Sequence, residues 1–302
     1  MRPIVKSHIA LFVLNLIYGA NYVVAKGLMP NIIGPNGFIL LRVGGAALLF
    51  WLLFSTRFEK VSNKDLGRLA LCGFFGIAMN QLFFFNGLMR TSPVNASVIM
   101  TTTPIIVFIL SLFILKERPN AIKIVGLIIG AAGSIIFTLQ GSSGGDSSLM
   151  GDLFIFANAT SYSLYLVLVK PLMSKYKPLT VITWVFTFGL IYVLCWPMSS
   201  NEIMQTSFST LTTDSILRLL FVVVCVTFLT YLLMVYAMKK VSPSVGSTYI
   251  YFQPLMAAFF IYVFWLFGLE NYTQDITLGK IMAALLIFVG VYLVIKPNKS
   301  VV

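Results

Sequence analysis

Residues 92–104 read SPVNASVIMTTTP, and residues 242–254 read SPSVGSTYIYFQP. Each stretch opens on Ser-Pro and closes on a proline inside an otherwise apolar run. One offset of 150 positions carries Ser92-Pro93 onto Ser242-Pro243 and Pro104 onto Pro254. Working outward, Arg68 falls on Arg218 at the same offset, and Lys26-Gly27-Leu28-Met29 recurs as Lys170-Pro171-Leu172-Met173 with Tyr18 on Tyr162. Further along, Glu117 answers Glu270, Lys123-Ile124 answers Lys280-Ile281 and Gly133 answers Gly290. The matches keep their order, so the second half restates the first, with one repeat over 1–143 and another over 144–302.

The 302 residues are 59% hydrophobic and only 10% charged, against about a quarter charged in a soluble domain, and the mean hydropathy is +0.94. This excludes a water-soluble globular protein and a disordered chain. The three cysteines, Cys72, Cys195 and Cys225, are too few for a disulfide framework and fall within apolar runs. Runs of about 20 apolar residues, enough to cross a bilayer as helices, are expected at 8–26, 36–55, 68–88, 94–115, 121–139, 151–169, 180–198, 216–238, 245–267 and 278–295. The connections are short and hold no soluble domain. Arg2 and Lys6 ahead of an apolar run resemble a signal peptide. Asn15 and Asn21 within the run, and the want of a small-residue cleavage site, favour an uncleaved first helix.

Ten spans with a cytoplasmic N terminus place sixteen Lys and Arg on the inner side and four on the outer side, leaving Arg42 alone within a span. That asymmetry obeys the positive-inside rule and puts both termini in the cytoplasm. The formal net charge of +12 is therefore an orientation signal and gives no reason to expect nucleic acid. Five spans per repeat is an odd number, so the second repeat enters the membrane from the opposite side. The expected fold is an all-α polytopic membrane protein with ten transmembrane helices as two inverted five-helix repeats, an architecture used by secondary transporters.

Two five-helix repeats, Ser-Pro and a mid-span proline in spans four and nine, Leu115-Lys116-Glu117 after span four, Arg42 in span two and Gly151-Asp152 opening span six together resemble the EamA-type members of the drug/metabolite transporter superfamily. The resemblance covers about residues 8–296. It implies ten helices, cytoplasmic termini, and export or exchange of small metabolites, often amino acids or their derivatives. Span seven departs from symmetry, because no basic residue there repeats Arg42.

A proline within a helix removes one donor and displaces the carbonyl four residues earlier, here those of Met100 and Ile250. Pro104 and Pro254 are thus expected helix breaks beside a cavity, with Thr101, Thr102, Thr103, Tyr251 and Gln253 next to them. Helical spacing gathers Asn15, Tyr18, Gly19 and Tyr22 on one face of span one, and Asn158, Ser161, Tyr162 and Tyr165 on one face of span six. Span three adds Asn80 and Gln81, and span eight adds Thr227, Thr230 and Tyr231. Intramembrane polar groups serve either as interhelical hydrogen-bond partners or as a solute site. The candidate substrate-binding set is Asn15, Tyr18, Tyr22, Arg42, Asn80, Gln81, Thr102, Asn158, Tyr162, Thr230, Tyr231 and Gln253.

Arg42 lies about six residues, roughly 9 Å, inside the outer end of its span. An ionisable residue at that depth is either a substrate contact or a structural hydrogen-bond donor. Asp and Glu occur only near span ends, and the one histidine, His8, stands at the cytoplasmic mouth of span one. Facilitated diffusion or exchange without a carboxylate proton relay is therefore expected. Gly126, Gly130 and Gly133 form a small-residue stripe expected to pack within spans four and five or against a second protomer. No phosphate loop, metal-ligand spacing or nucleophile with a base is present, so neither an enzyme, a cofactor nor a metal is expected. The leading expectation is a bacterial inner-membrane exporter of a zwitterionic metabolite, monomeric or homodimeric. An organic-anion or nucleotide-sugar exchanger and a non-transporting scaffold are the alternatives.

Overall fold

The computed structural model describes residues 3–29, 32–56, 58–91, 96–97, 99–117, 121–139, 148–206, 211–268 and 278–295. Among these the chain forms eleven helices and no strand. They are α1 (Pro3–Leu28), α2 (Pro35–Ser55), α3 (Asn63–Leu88), α4 (Met100–Ile114), α5 (Ala121–Leu139), α6 (Leu149–Lys175), α7 (Pro178–Leu194), α8 (Pro197–Gln205), α9 (Thr213–Met238), α10 (Pro243–Leu266) and α11 (Leu278–Ile295). The chain is thus a polytopic all-α membrane protein. Length and apolarity mark α1, α2, α3, α6, α9 and α10 as able to cross a bilayer, and α7 joins them when taken with α8 across a bend of 76°. Short α8 was not expected from the sequence. Pro197 cannot continue α7 but fits the first turn of a new helix, so the chain turns at Trp196. The repeat boundary at 143, Ser92-Pro93 and Glu270 lie outside the described residues.

Polarity is distributed as lipid requires. Phe113, Leu149 and Phe267 stand 77%, 76% and 75% exposed, while Asn15, Arg42, Gln81 and Asn158 are buried. A soluble protein of this size keeps its large apolar side chains covered. Here hydrocarbon bathes the outside and the interior collects the hydrogen-bonding groups.

Helix packing is unchanged when the halves are exchanged. α3 packs on α6 and α9 on α1; α3 packs on α7 and α9 on α2; α4 packs on α6 and α10 on α1. Equivalent helices also pair with each other, as α2 with α7, α4 with α10 and α5 with α11. α2 and α7 run antiparallel, since Trp51 near the end of α2 donates to Thr187 Oγ1 at 2.9 Å in the middle of α7, while Gly37 at the start of α2 abuts Glu202 beyond the end of α7. α5 and α11 are also antiparallel. Gly126 faces Gly290 and Val294, and Gly133 faces Ala283 and Ile287. The glycine stripe of α5 therefore serves α11, together with the Tyr251 ring against Gly130, rather than α4 or a second protomer.

The irregular turns are symmetric as well. π-helical turns occupy Phe74–Met79 in α3 and Val222–Leu229 in α9, and tight 3₁₀ turns at Met100–Thr102 and Tyr249–Phe252 open α4 and precede the second part of α10. The two 3₁₀ turns contact each other. Pro104 and Pro254 each sit in the first turn of the α-helix that follows. The expected breaks are present, but the carbonyls they displace are not open. Met100 O accepts from Thr103 N–H and Ile250 O from Gln253 N–H, a three-residue step that repairs the ladder.

Candidate functional site

Between α1, α2, α3, α4, α6, α9 and α10 lies a cavity. From the first half it takes Tyr18, Asn21 and Tyr22 of α1, Arg42 of α2, Asn80, Gln81 and Phe84 of α3, and Met100 of α4. From the second half it takes Asn158 and Tyr162 of α6, Tyr231 of α9 and Gln253 of α10. Nine of the sequence-predicted residues thus meet in one place: Tyr18, Tyr22, Arg42, Asn80, Gln81, Asn158, Tyr162, Tyr231 and Gln253.

Three predicted residues do not line it. Asn15 is one layer behind, donating to Leu11 O at 2.8 Å and accepting from Gln253 Nε2 at 2.9 Å. Thr102 Oγ1 turns to its own helix and donates to Ile99 O at 2.7 Å. Thr230 Oγ1 caps the Val226 carbonyl and reaches the Tyr18 hydroxyl at 3.2 Å, supporting the wall from outside. Gly19, on the same face of α1 by spacing, meets Met256. Sequence reasoning left out Asn21, Phe84 and Met100 as lining residues. Asn21 follows Tyr18 by three positions and was the signal available; Phe84 and Met100 carry no polar mark.

The π turns explain how the walls are tied. A π turn shifts the backbone ladder by one residue and frees carbonyls for side chains. In α3, Phe75 O accepts from Ser161 Oγ at 2.7 Å, Gly76 O from the Tyr231 hydroxyl at 3.1 Å and Asn80 O from Asn158 Nδ2 at 2.7 Å. The two last donors come from the cavity lining itself. Gly76 is needed for this approach, because a Cβ there would stand 2.4 Å from the Tyr165 ring. In α9, Thr227 Oγ1 donates to Val222 O at 2.7 Å, the five-residue step of the second π turn, and accepts from Arg42 Nε at 3.0 Å.

Arg42 is 3% exposed. Its guanidinium carbon lies 4.7 Å from the centre of the Phe85 ring, a cation–π contact. Among the described residues it forms no ion pair, the two salt bridges being Lys175 with Asp65 and Arg218 with Asp214. It lines the cavity, and among the described residues of that lining there is no carboxylate. A buried cation without a counter-ion is costly, and one hydroxyl and one ring face offset that cost only in part. Two acceptors are also left over. Asn158 Oδ1 and Asn21 Oδ1 are buried without a partner in the structure, and the orientation of Asn158 is set because its amide nitrogen already serves Asn80 O. The cavity therefore offers a guanidinium and aromatic walls, and two residues of its lining carry unpartnered buried amide oxygens. Among the described residues, no three of His, Cys, Asp and Glu gather as metal ligands.

Comparison with known proteins places the chain in a family of transporters. The model of the EamA-like transporter family matches residues 5–139 and again 149–296. The uncharacterized transporter YoaV of Bacillus subtilis is 26% identical over 96% of both chains. An uncharacterized transporter of Archaeoglobus fulgidus is 22% identical over 85% of this chain and 88% of its own length. The WAT1-related protein At3g53210 of Arabidopsis thaliana is 24% identical over 98% of this chain and 87% of that one. One crystal structure superposes with a TM-score of 0.73 at 15% identity, covering 96% of each chain.

Proposed function

Because the chain belongs to the EamA-like transporter family, we propose that it carries a small zwitterionic metabolite, an amino acid or a derivative of one, outward or in exchange across the cytoplasmic membrane of a bacterium. Ten helices cross the bilayer, built as inverted repeats over 1–143 and 144–302, with both termini in the cytoplasm. The cavity between the halves is the solute site, and the halves rock around it by alternating access. The observation that carries the reading is Arg42, a buried guanidinium without a counter-ion among the described residues, in a cavity furnished by both halves. A substrate carboxylate completes its charge through a two-pronged contact. Asn158 Oδ1 and Asn21 Oδ1 then receive the ammonium, and the rings of Tyr18, Tyr22 and Tyr162 receive the side chain.

The test is ligand-induced thermal stabilisation of the purified protein against amino acids, their deaminated analogues and their amides, followed by uptake into proteoliposomes. Binding raises apparent stability by mass action. The zwitterion is expected to stabilise, and loss of either the carboxylate or the ammonium to abolish the effect. Equal stabilisation by deaminated acids replaces this reading with the organic-anion exchanger, for which Arg42 alone suffices.

A further inference from the structure

Two carboxylates outside the cavity are related by the same repeat. Pro35 opens α2 and Pro178 opens α7, 143 positions later, and the same step carries Glu59 onto Glu202. Glu202, on α8, accepts from Asn36 N at 2.7 Å, Gly37 N at 2.9 Å and Asn36 Nδ2 at 2.6 Å at the first turn of α2. Glu59, in the α2–α3 connection, accepts from Lys177 N at 3.0 Å and from the Thr180 hydroxyl at the first turn of α7. Each acid of one half thus caps the second helix of the other half. Carboxylates are favoured at helix N-termini by the helix dipole and the free N–H groups there, and these bonds are charge-assisted.

The two contacts lie at opposite ends of one seam. α2 has 21 residues, about 31 Å at 1.5 Å per residue, with Glu202 at its start and Glu59 four residues past its end. α7 runs antiparallel beside it with the ends reversed. Along the seam between them the Phe50 and Phe186 rings pack 4.9 Å apart and Trp51 meets Trp184, and Arg42, in the first half of α2, lines the cavity. A solute in that cavity leaves through one end or the other. On the alternating-access reading, opening an end would part α2 from α7 there and break the carboxylate contact at that end, leaving the other intact.

We propose that Glu59 and Glu202 are positioning residues acting as paired gate latches, one at each membrane face, whose alternate release sets which face the cavity opens to. The proposal rests on the alternating-access reading above. It also says that the two latches oppose each other in one equilibrium, so that weakening one shifts the population toward opening at its own face.

The test replaces Cys72, Cys195 and Cys225 with serine, places one cysteine at Phe84 in the cavity wall, and measures its labelling by a membrane-impermeant maleimide from each face of oriented vesicles, without substrate. Glu202→Gln is expected to speed labelling from the Glu202 face about fivefold or more and slow it from the other face, which is the range of ordinary coupling between sites. Glu59→Gln is expected to do the reverse, and the double variant to restore the parent ratio. Glu202→Asp and Glu59→Asp, which keep the charge on a shorter arm, are expected to shift the ratio less in the same directions, and they answer the question if a glutamine variant does not fold. Equal changes at both faces, or none, overturn the latches. Opposed labelling shifts in a protein that moves no solute would sink the transport reading and keep the latches; transport with unshifted labelling would do the opposite.

Discussion

Gln81 Nε2 donates to the Tyr231 hydroxyl at 3.1 Å, and the two residues stand at equivalent places in the two halves, 150 positions apart. Both residues line the cavity, so the exchange of halves seen in the helix packing carries one wall residue onto the other. The scaffold obeys it and the site does not. Asn80 is matched by Thr230, and at the 143-residue step Arg42 is matched by Val185. The helices are packed alike in the two halves, and the cavity between them has one cationic end, at Arg42.

Tyr231→Phe tests that central contact. The hydroxyl donates to Gly76 O and receives from Gln81, and its loss strands a buried amide donor and a carbonyl freed by the π turn. Stranding buried polar groups costs about 1–3 kcal/mol. A fall in Tm is expected, with weaker ligand binding, since the α3 and α9 walls are no longer tied. An unchanged Tm would mean that water serves both groups as well as the tyrosine does.

Arg42→Gln separates stability from binding. Removing an unpaired buried charge is expected to leave Tm unchanged or raise it, while affinity for a carboxylate ligand falls by about 2–3 kcal/mol, the worth of hydrogen bonds to charged groups. Arg42→Lys keeps the charge but loses the planar fork and the contact with Thr227, so it is expected to recover only part of the affinity. Thermal shift titrations of both variants check this. A large loss of Tm with normal affinity would make Arg42 a structural residue.

The α5–α11 crossing yields a sharper stability prediction. A Cβ at Gly290 would lie 2.5 Å from Gly130 N and 2.7 Å from Gly126 O, backbone atoms that cannot move aside alone. Gly290→Ala is expected to cost about 1–3 kcal/mol, the ordinary range for overpacking, read as a lower Tm in detergent. Gly67→Ala is the control, because nothing lies within 4 Å of its Cβ. A near-neutral change is expected there. Equal effects at the two positions would mean that α5 and α11 separate freely.

The packing and much of the site were legible because in a membrane the sequence writes polarity inside out. Any polar side chain within an apolar run has to find a partner or a cavity, and nine of the twelve candidate residues did share one. Asn15, Thr102 and Thr230 misled because a polar side chain in hydrocarbon is satisfied equally well by the carbonyl three or four residues back, which periodicity cannot see. The π turns left no signal, since they depend on which carbonyls neighbouring side chains claim. The helix breaks were visible as prolines, but their repair by Thr103 and Gln253 was not. Glu59 and Glu202 passed unnoticed because they read as ordinary connection residues until the 143-residue step placed each on the other half's helix.

The chemistry of the cavity also bears on how transport is driven. Among the described residues that line it there is no Asp, Glu or His, and its polar groups are phenols, amides and one guanidinium. The one described histidine, His8, bonds to the Tyr249 hydroxyl at 2.9 Å, beside a separate apolar groove with Phe12 and Phe252. A proton-coupled carrier needs a group that binds a proton in one orientation and releases it in the other, usually a buried carboxylate or histidine. Here the substrate's own gradient, or a counter-substrate, is expected to drive movement. Uptake into proteoliposomes should therefore proceed without an imposed pH gradient, survive an uncoupler, and accelerate when the lumen is preloaded with the same solute. Uptake that required the gradient and collapsed with the uncoupler would mean that a proton crosses by a route these residues do not provide, and would refute simple exchange.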